Sequence, residues 1–325
     1  MKQGNTKNDL GPLPWNTEVL RKAYFRSSFN IRKAIQTHPG YRAHADLLNL
    51  RLSLDIFKDS VADLFKSVET FNIESQANKF WTRPMRQQFN VRLLAVRRGV
   101  FTVATTAMAL VDHSRVVNLK IKISSYQKQV DKYFLTNEEH QFIQGLRQCI
   151  SHCRVVEADW EQSWTETERH TRFLLHSEKL LAYSNWRPLA KVYIDKYSKG
   201  IDLEVLAKKY QACVEEFHSW FHTEIQQMAE PELSEYREYE RKINSFASKA
   251  EWNMLFKQIV IARGMDPYLY LDRYLNDSEI TDVFSLPMRS QKQVDKIIEI
   301  VDAYNACDDE LRNIVYSAFG VRGPA

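Results

Sequence analysis

"MRQQFNVRLLAVRRGVFTVATTAMALVDHSR", residues 85–115, is the stretch on which the fold turns. Its first half carries arginines and glutamines, and its second half is almost wholly apolar. That gradient describes a central helix that enters a bundle from solvent and is then largely buried. The purely apolar part, "GVFTVATTAMALV" (99–111), is bounded by Arg98 and Asp112. It is shorter than the roughly 20 residues needed to cross a bilayer, so a central core helix is expected and a membrane partner is not.

Working outward, Pro12 and Pro14 close a polar leader, and from Asn16 a helical pattern runs to about Thr37, where "HPG" is expected to stop it. A second pattern covers Ala43 to about Phe71, with Leu47, Leu50, Leu54, Phe57, Val61 and Leu64 at helical spacing. "WTRP" (81–84) reads as a loop, because the residue before a proline avoids helical geometry. Beyond the central helix, "LKIKISSYQKQVDKYF" reads as a separate helix. Asn137 then reads as an N-cap, with Glu138 and Glu139 in the electropositive first turn.

The region 158–176 breaks the helical rhythm. "ADWEQSWT" and "RHTRFLLH" predict two extended segments, the second placing Thr171, Phe173 and Leu175 on one face at period two. Helices resume over Ser177 to about Lys199 and Asp202 to about Met228. Residues 232–263 are strongly charged and predict a helix with much exposed surface, "ELSEYREYERK" forming a solvent face. Pro267 and Pro287 frame shorter pieces, and "QVDKIIEIVDAY" begins a final helical hairpin.

The totals agree with a helical globular protein: 325 residues, 44% hydrophobic and 26% charged, with only nine glycines and nine prolines to interrupt helices. Lys and Arg number 45 against 41 Asp and Glu, and this mild excess permits a nucleic-acid partner without requiring one. Four cysteines, Cys149, Cys153, Cys213 and Cys307, are too scattered for a disulfide framework. "MKQGNTKNDLGPLPW" has no apolar core of a secretory signal, so a soluble, cytoplasmic protein is expected. No glycine-rich phosphate loop or serine elbow occurs, which removes support for nucleotide-driven motors and for that class of hydrolase.

One helix raises a chemical question. In "FIQGLRQCISHCRV" (142–155), at about 100° per residue, Phe142, Ile143, Leu146, Cys149, Ile150 and Cys153 share an apolar stripe. His140, Gln144, Arg147, Ser151 and Arg154 share the opposite, polar stripe. His152 falls at the border, about 140° from Arg147, so one helix is not expected to aim both groups at one spot. Two such helices about a two-fold axis would bring them to a shared cleft.

This helix, following a long and nearly all-apolar one, resembles the arginine–polar–histidine signature of the HEPN superfamily of small helical bundles. "LRQCISH" supplies Arg147, Gln148 as the polar residue, and His152; the family usually has asparagine or aspartate at the position of Gln148. "FLTNEEHQFIQG", "AMALVDHSR" and the downstream "WRPLAKVYIDKYSKGIDLEVLAKKYQACVEEFHSWF" are also similar to segments of bacterial members. The likeness runs from about residue 40 to 228.

The resemblance implies a metal-independent endoribonuclease that needs no cofactor and works as a homodimer, its RNA-cutting site assembled from two copies. His152 would move the proton, and Arg147 would face the charge gained by the phosphate. Gln148 would hydrogen-bond the phosphate or orient the histidine, and Arg154 would hold the RNA backbone. It also implies a setting such as phage defence or a toxin–antitoxin pair, with an antitoxin or other protein partner. The rival reading is a non-catalytic HEPN-like scaffold for dimerisation or for binding RNA or protein.

Other constellations carry less. His218 and His222 stand four apart on a helix, a spacing that can hold zinc, but aromatic neighbours favour packing. Cys149 and Cys153 flank His152 on the apolar side and read as buried thiols. Asp112 and His113 read as an exposed helix-end pair. The arginines of 83–98, Arg97 and Arg98 among them, form the densest cationic cluster and are candidates for RNA-backbone contact near Phe80 and Trp81. The expected architecture is therefore mainly α: a leader and first helix (1–40), a HEPN-like antiparallel bundle (41–230) with a small β-hairpin near 158–176, and a helical C-terminal region (231–325).

Overall fold

The computed structural model describes residues 10–153, 156–164 and 169–321. The protein is mainly helical with one small antiparallel sheet. The chain divides into two compact units: one runs from Ala43 to Glu230, and the other joins the residues up to Arg42 to those from Pro231 onward.

The helix expected from Asn16 is two helices, α1 (Thr17–Arg26) and α2 (Ser28–Ile35). Asn16, where the helical pattern was expected to begin, caps α1, but Ser27 adopts extended backbone and turns its side chain to cap α2. α2 stops just before "HPG", as expected, but the motif also opens the next helix, α3 (Pro39–Ser75), because a proline in the first turn gives up an amide that has no helical partner there. Of the six apolar positions on α3, five are buried and Leu54 is half-buried. "WTRP" is not a plain loop: Trp81 ends one 3-10 turn (Asn78–Trp81), Arg83 and Pro84 begin another (Arg83–Met85), and only Thr82 lies between them.

The central helix, α4 (Arg86–Ile121), is longer than its apolar stretch. Among the described residues, Arg83–Ile121 is the one helical stretch apolar and long enough to cross a membrane, and 44% of its most apolar window is buried inside the protein. α4 runs antiparallel to α3, and polar pairs record the register. Lys120 meets Asp46, His113 meets Ser53, Thr106 meets Ser60 and Arg92 meets Glu74. Both helices step through these pairs in multiples of seven residues, the interval at which two packed helices present the same seam to each other. Gly99 lies where the two backbones approach: a Cβ there would sit 2.9 Å from the Leu64 side chain.

The "LKIKISSYQKQVDKYF" segment is divided between two helical pieces. α4 takes its start, and Lys122 ends α4 in left-handed backbone. The remainder forms only α5 (Tyr126–Val130), which widens into a π-helical turn over Asp131–Leu135. α6 (Glu138–His152) then begins at Asn137, whose side chain accepts from the His140 amide at 2.9 Å.

The extended region forms as expected: β1 (Asp159–Trp164) pairs antiparallel with β2 (Arg169–Leu175), and Thr171, Phe173 and Leu175 are buried. The hairpin covers an aromatic cluster, with Phe173 against Phe71 (ring centroids 4.9 Å) and Trp160 against Trp81 (4.7 Å). The single helix expected from Ser177 is broken. α7 (Ser177–Leu181) ends before "NWRP", and Pro188 starts α8 (Pro188–Lys196). A two-residue strand, β3 (Ile201–Asp202), adds to β2, and Asp202 caps α9 (Leu203–Ala229) by accepting from Glu204 and Val205 amides.

In the other unit, α10 (Glu232–Met254) continues into a π-helical segment over Leu255–Ile261. "ELSEYREYERK" is not simply a solvent face. Leu233, Tyr236, Tyr239 and Ile243 are buried, and the tyrosines and Ile243 pack in a cluster with Trp15, Leu20 and Ile31 from the N-terminal helices. The tyrosines carry that stripe, which the charge count hides. The leader's Trp15 amide donates to the Tyr239 hydroxyl at 2.9 Å, so the first helices and the C-terminal region form one unit. A second cluster closes around α11 (Asp277–Phe284), α12 (Gln291–Val301) and α13 (Asp309–Phe319), the last two being the expected final hairpin.

Candidate anion groove between α4 and α6

α4 presents Met108, Val111, Asp112 and Arg115 on one face, at steps of three and four residues. α6 presents Gln144, Arg147, Gln148 and His152 opposite them, and Arg187 at the N-terminus of α8 completes an open groove of about 240 Å³. The sequence geometry explains how α6 does this. Taking Arg147 as origin, Gln144 and Gln148 lie at about 60° and 100°, and His152 at about 140°. The arginine and histidine are therefore the two edges of one arc, with the glutamines between them. The expectation that a single helix would separate the pair holds for a point target and fails for a groove. No second copy is needed to place Arg147, Gln148 and His152 on one wall.

Burial differs along that wall. Arg147 and Gln144 are half-buried, whereas Gln148 and His152, the last helical residue, are exposed. Arg187 Nη1 donates to Gln144 Oε1 at 2.7 Å, bracing the start of α8 against α6. Arg115 pairs with Asp112 at 3.2 Å. The groove thus carries three guanidiniums against one carboxylate. Such a surface attracts an anion, and each guanidinium offers a planar fork of donors suited to phosphate or carboxylate oxygens.

The remaining sequence candidates are elsewhere. Arg154 lies outside the described residues. Arg97 turns to the hairpin, 3.7 Å from Asp159, with its Nε buried and without a hydrogen-bond partner. Arg98 is exposed and lines a different groove with Lys66, Asp63 and Arg92, on the α3 side of α4. Neighbours on a helix point about 100° apart, so the dense cluster in the sequence is dispersed in space. Neither Arg97 nor Arg98 lines the α4–α6 groove.

No family model, curated protein or solved structure matches this chain.

Other expectations change with the packing. His140 does not belong to a polar stripe: it is buried, with Nδ1 3.0 Å from the Tyr210 hydroxyl and its ring against Phe134. Phe134, from the turn at 131–135, and Tyr210, from α9, cover His140 in the first turn of α6. Burial, with Arg115 and Arg187 adding, lowers His140 to about 4. Cys149 is buried as expected, but Cys153 is exposed, because α6 ends at His152 and Cys153 is only its C-cap. Asp112 and His113 are not a helix-end pair, since α4 runs on to Ile121; Asp112 lines the groove and His113 meets Ser53. His218 and His222 face burial, and no group of three or more potential ligands is placed to hold a metal among the described residues.

Sequence reasoning did not single out Arg115, Arg187 or Gln144. Arg115 could have been found from its place on the α4 face of Met108 and Val111. Arg187 could have been found from "WRP", where a proline that opens a helix leaves the preceding side chain at its rim.

Proposed function

We propose that the protein is a metal-independent endoribonuclease of HEPN-like architecture, and that the α4–α6 groove holds and cuts the RNA backbone. The observation that carries this reading is that Arg147, Gln148 and His152 line one solvent-open groove together with Arg115 and Arg187. Cleavage of RNA by its own 2′-hydroxyl needs a group that moves a proton near neutral pH and cations that face the phosphate. In this reading His152 takes the 2′-hydroxyl proton, the 2′-oxygen bonds to phosphorus, and the bond from phosphorus to the 5′-oxygen breaks. His152 of a second copy, protonated, gives the departing 5′-oxygen its proton, which is the role left for a homodimer. Arg147, backed by Arg115 and Arg187, offsets the charge gained by the phosphate, and Gln148 donates to a phosphate oxygen. The family resemblance gives Arg154 the role of holding the RNA backbone. We place the reaction in the cytoplasm, with an antitoxin or other protein partner restraining it, as in phage defence or a toxin–antitoxin pair.

The test is cleavage of single-stranded RNA by the purified chain in a chelator, with fragments ending in 2′,3′-cyclic phosphate. His152→Ala and Arg147→Ala are each expected to slow cutting by about a hundredfold or more, the scale of proton-transfer catalysis. Cutting that requires an added divalent cation, or that survives both substitutions, overturns the mechanism. RNA binding without cutting would leave a scaffold that docks RNA in this groove.

A further inference from the structure

Next to the cationic groove lies a second chamber of about 290 Å³, and the two share Val111, Arg115, Gln144 and Arg187 as a common rim. Its character is different. Tyr126, Phe134 and Phe217 form aromatic walls, with Phe134 and Phe217 centroids 4.9 Å apart and Tyr126 and Phe217 6.0 Å apart, both pairs edge-on. The π-helical turn over Asp131–Leu135 supplies one side, a local widening of the kind frequently found at functional sites. Polar groups line the chamber as well: Ser114, Gln141, His140, His218, and Asp131, whose carboxylate accepts from Gln127 at 2.7 Å. His218 is buried, and its Nδ1 has no hydrogen-bond partner. Both imidazoles are neutral at neutral pH, because burial lowers His140 to about 4 and His218 to about 3.

The occupant must satisfy both compartments. An aliphatic ligand would fill the chamber and leave the guanidiniums at its rim unused. A simple anion would use the guanidiniums and leave an aromatic chamber unfilled. A nucleotide has one flat, neutral, aromatic part with hydrogen-bonding edges, joined to an anionic phosphate, and single-stranded bases are recognised by such aromatic surfaces. The volume lies at the small end of the range for ligand pockets, about 300 Å³ and upward, which suits one base.

We propose that the chamber takes the base of a nucleotide whose phosphate rests on Arg115 and Arg187, so that groove and chamber together hold one nucleotide. This rests on reading the groove as a phosphate site, and it adds a base-selecting element to the reading. The nucleotide comes either from an RNA strand, with one base turned out of its stack, or free in solution.

The experiment is equilibrium binding of the full chain to a fluorescent single-stranded oligoribonucleotide, to a series carrying one abasic position at each site in turn, and to the four ribonucleoside 5′-monophosphates. His152→Ala is the background throughout, so that cutting is slowed during the measurement. At least one abasic oligonucleotide is expected to bind about tenfold or more weakly than its parent. Val130→Trp, which fills the chamber from α5 without altering a guanidinium, is expected to weaken the parent to a similar degree and to remove the difference made by the abasic position. Gln141→Ala, a smaller change on the chamber wall, is expected to alter the ranking of the four monophosphates or of oligonucleotides differing in one base. Monophosphates that bind as well as the strand identify a free nucleotide as the ligand, and binding of the strand alone identifies RNA. If every abasic oligonucleotide binds like its parent and the monophosphates do not bind, the base chamber is overturned whether or not RNA is cut. Conversely, a base effect without cleavage retains the chamber and removes the nuclease.

Discussion

His140 and His218 are two imidazoles held uncharged inside the unit that carries the groove. His140 is closed in by Phe134 and Tyr210, with Arg115 and Arg187 adding an unfavourable positive field. His218 is lowered by burial first and then by its neighbour His222, itself lowered by burial and by Arg51. In the unfolded chain these rings take up protons near pH 6.5, whereas the folded chain resists until about pH 4 for His140 and about 3 for His218. Below about pH 6.5 the unfolded state therefore binds more protons, and stability that is complete above that pH falls as the pH falls. The slope is up to about 1.4 kcal/mol per pH unit for each ring. A urea midpoint measured at about pH 5 should be clearly lower than at about pH 7, and His140→Gln should flatten the difference. An equal drop in the variant would show that this ring is not a source. The same residue shows what one-dimensional angles miss. His140 and Arg147 differ by only about 20° around α6, yet one is sealed and the other half-open, because neighbouring elements cover a helix unevenly along its length.

At the scale of elements, α6 is held to the connection between α7 and α8 by a close contact that its sequence barely announces. Gly145 faces Trp186: a Cβ on Gly145 would lie 2.6 Å from the indole ring. That ring cannot easily retreat, since it stacks on Phe142 at 5.4 Å and its Nε1 donates to the Leu180 carbonyl at 2.8 Å. Gly145→Ala would gain helix propensity on an isolated helix, but here overpacking should dominate and cost about 1–3 kcal/mol. The expected readout is a lower denaturation midpoint together with weaker RNA binding, because α6 and Arg187 move apart. An unchanged or raised midpoint would mean that α6 and the indole are not so tightly opposed. A second expectation tests the cap: Asn137→Ala should destabilise by about 1 kcal/mol through the lost bond to the His140 amide, and a change of less than about 0.3 kcal/mol would show the cap to be idle. The Asn137 cap and the inward face of β2 were legible in the sequence and stand where the pattern put them, whereas α4 buries one face of its apolar stretch and leaves Phe101 and Ala109 exposed. Breaks were less legible. "HPG" and "WRP" use proline to open helices, and the same residue type closes helices elsewhere; only the neighbours that accept the chain decide between the two.

At the scale of the whole molecule, the charge total says little about partners, because Lys and Arg exceed Asp and Glu only slightly and most basic residues are dispersed. The sequence cluster at 83–98 illustrates this: Arg92 is tied to Glu74, Arg97 to Asp159, and Arg98 opens to another side. What matters is the local imbalance that folding creates, where Arg115, Arg147 and Arg187, distant in sequence, converge around one carboxylate. That convergence depends on three helices and on the groove between them, so no motif reading of α6 alone would have contained it. It also fixes a measurable quantity. Each single-stranded phosphate neutralised by a cation contributes about −0.7 to the slope of log affinity against log salt. Three guanidiniums engaged in the groove should give a slope near −2, about a twentyfold loss between about 50 and about 200 mM salt. Arg115→Ala and Arg187→Ala should each reduce the steepness by about 0.7, with Arg98→Ala leaving it unchanged. A slope that responds to Arg98 and not to Arg115 or Arg187 would move the RNA to the α3 side of α4 and vacate the α4–α6 groove as its site.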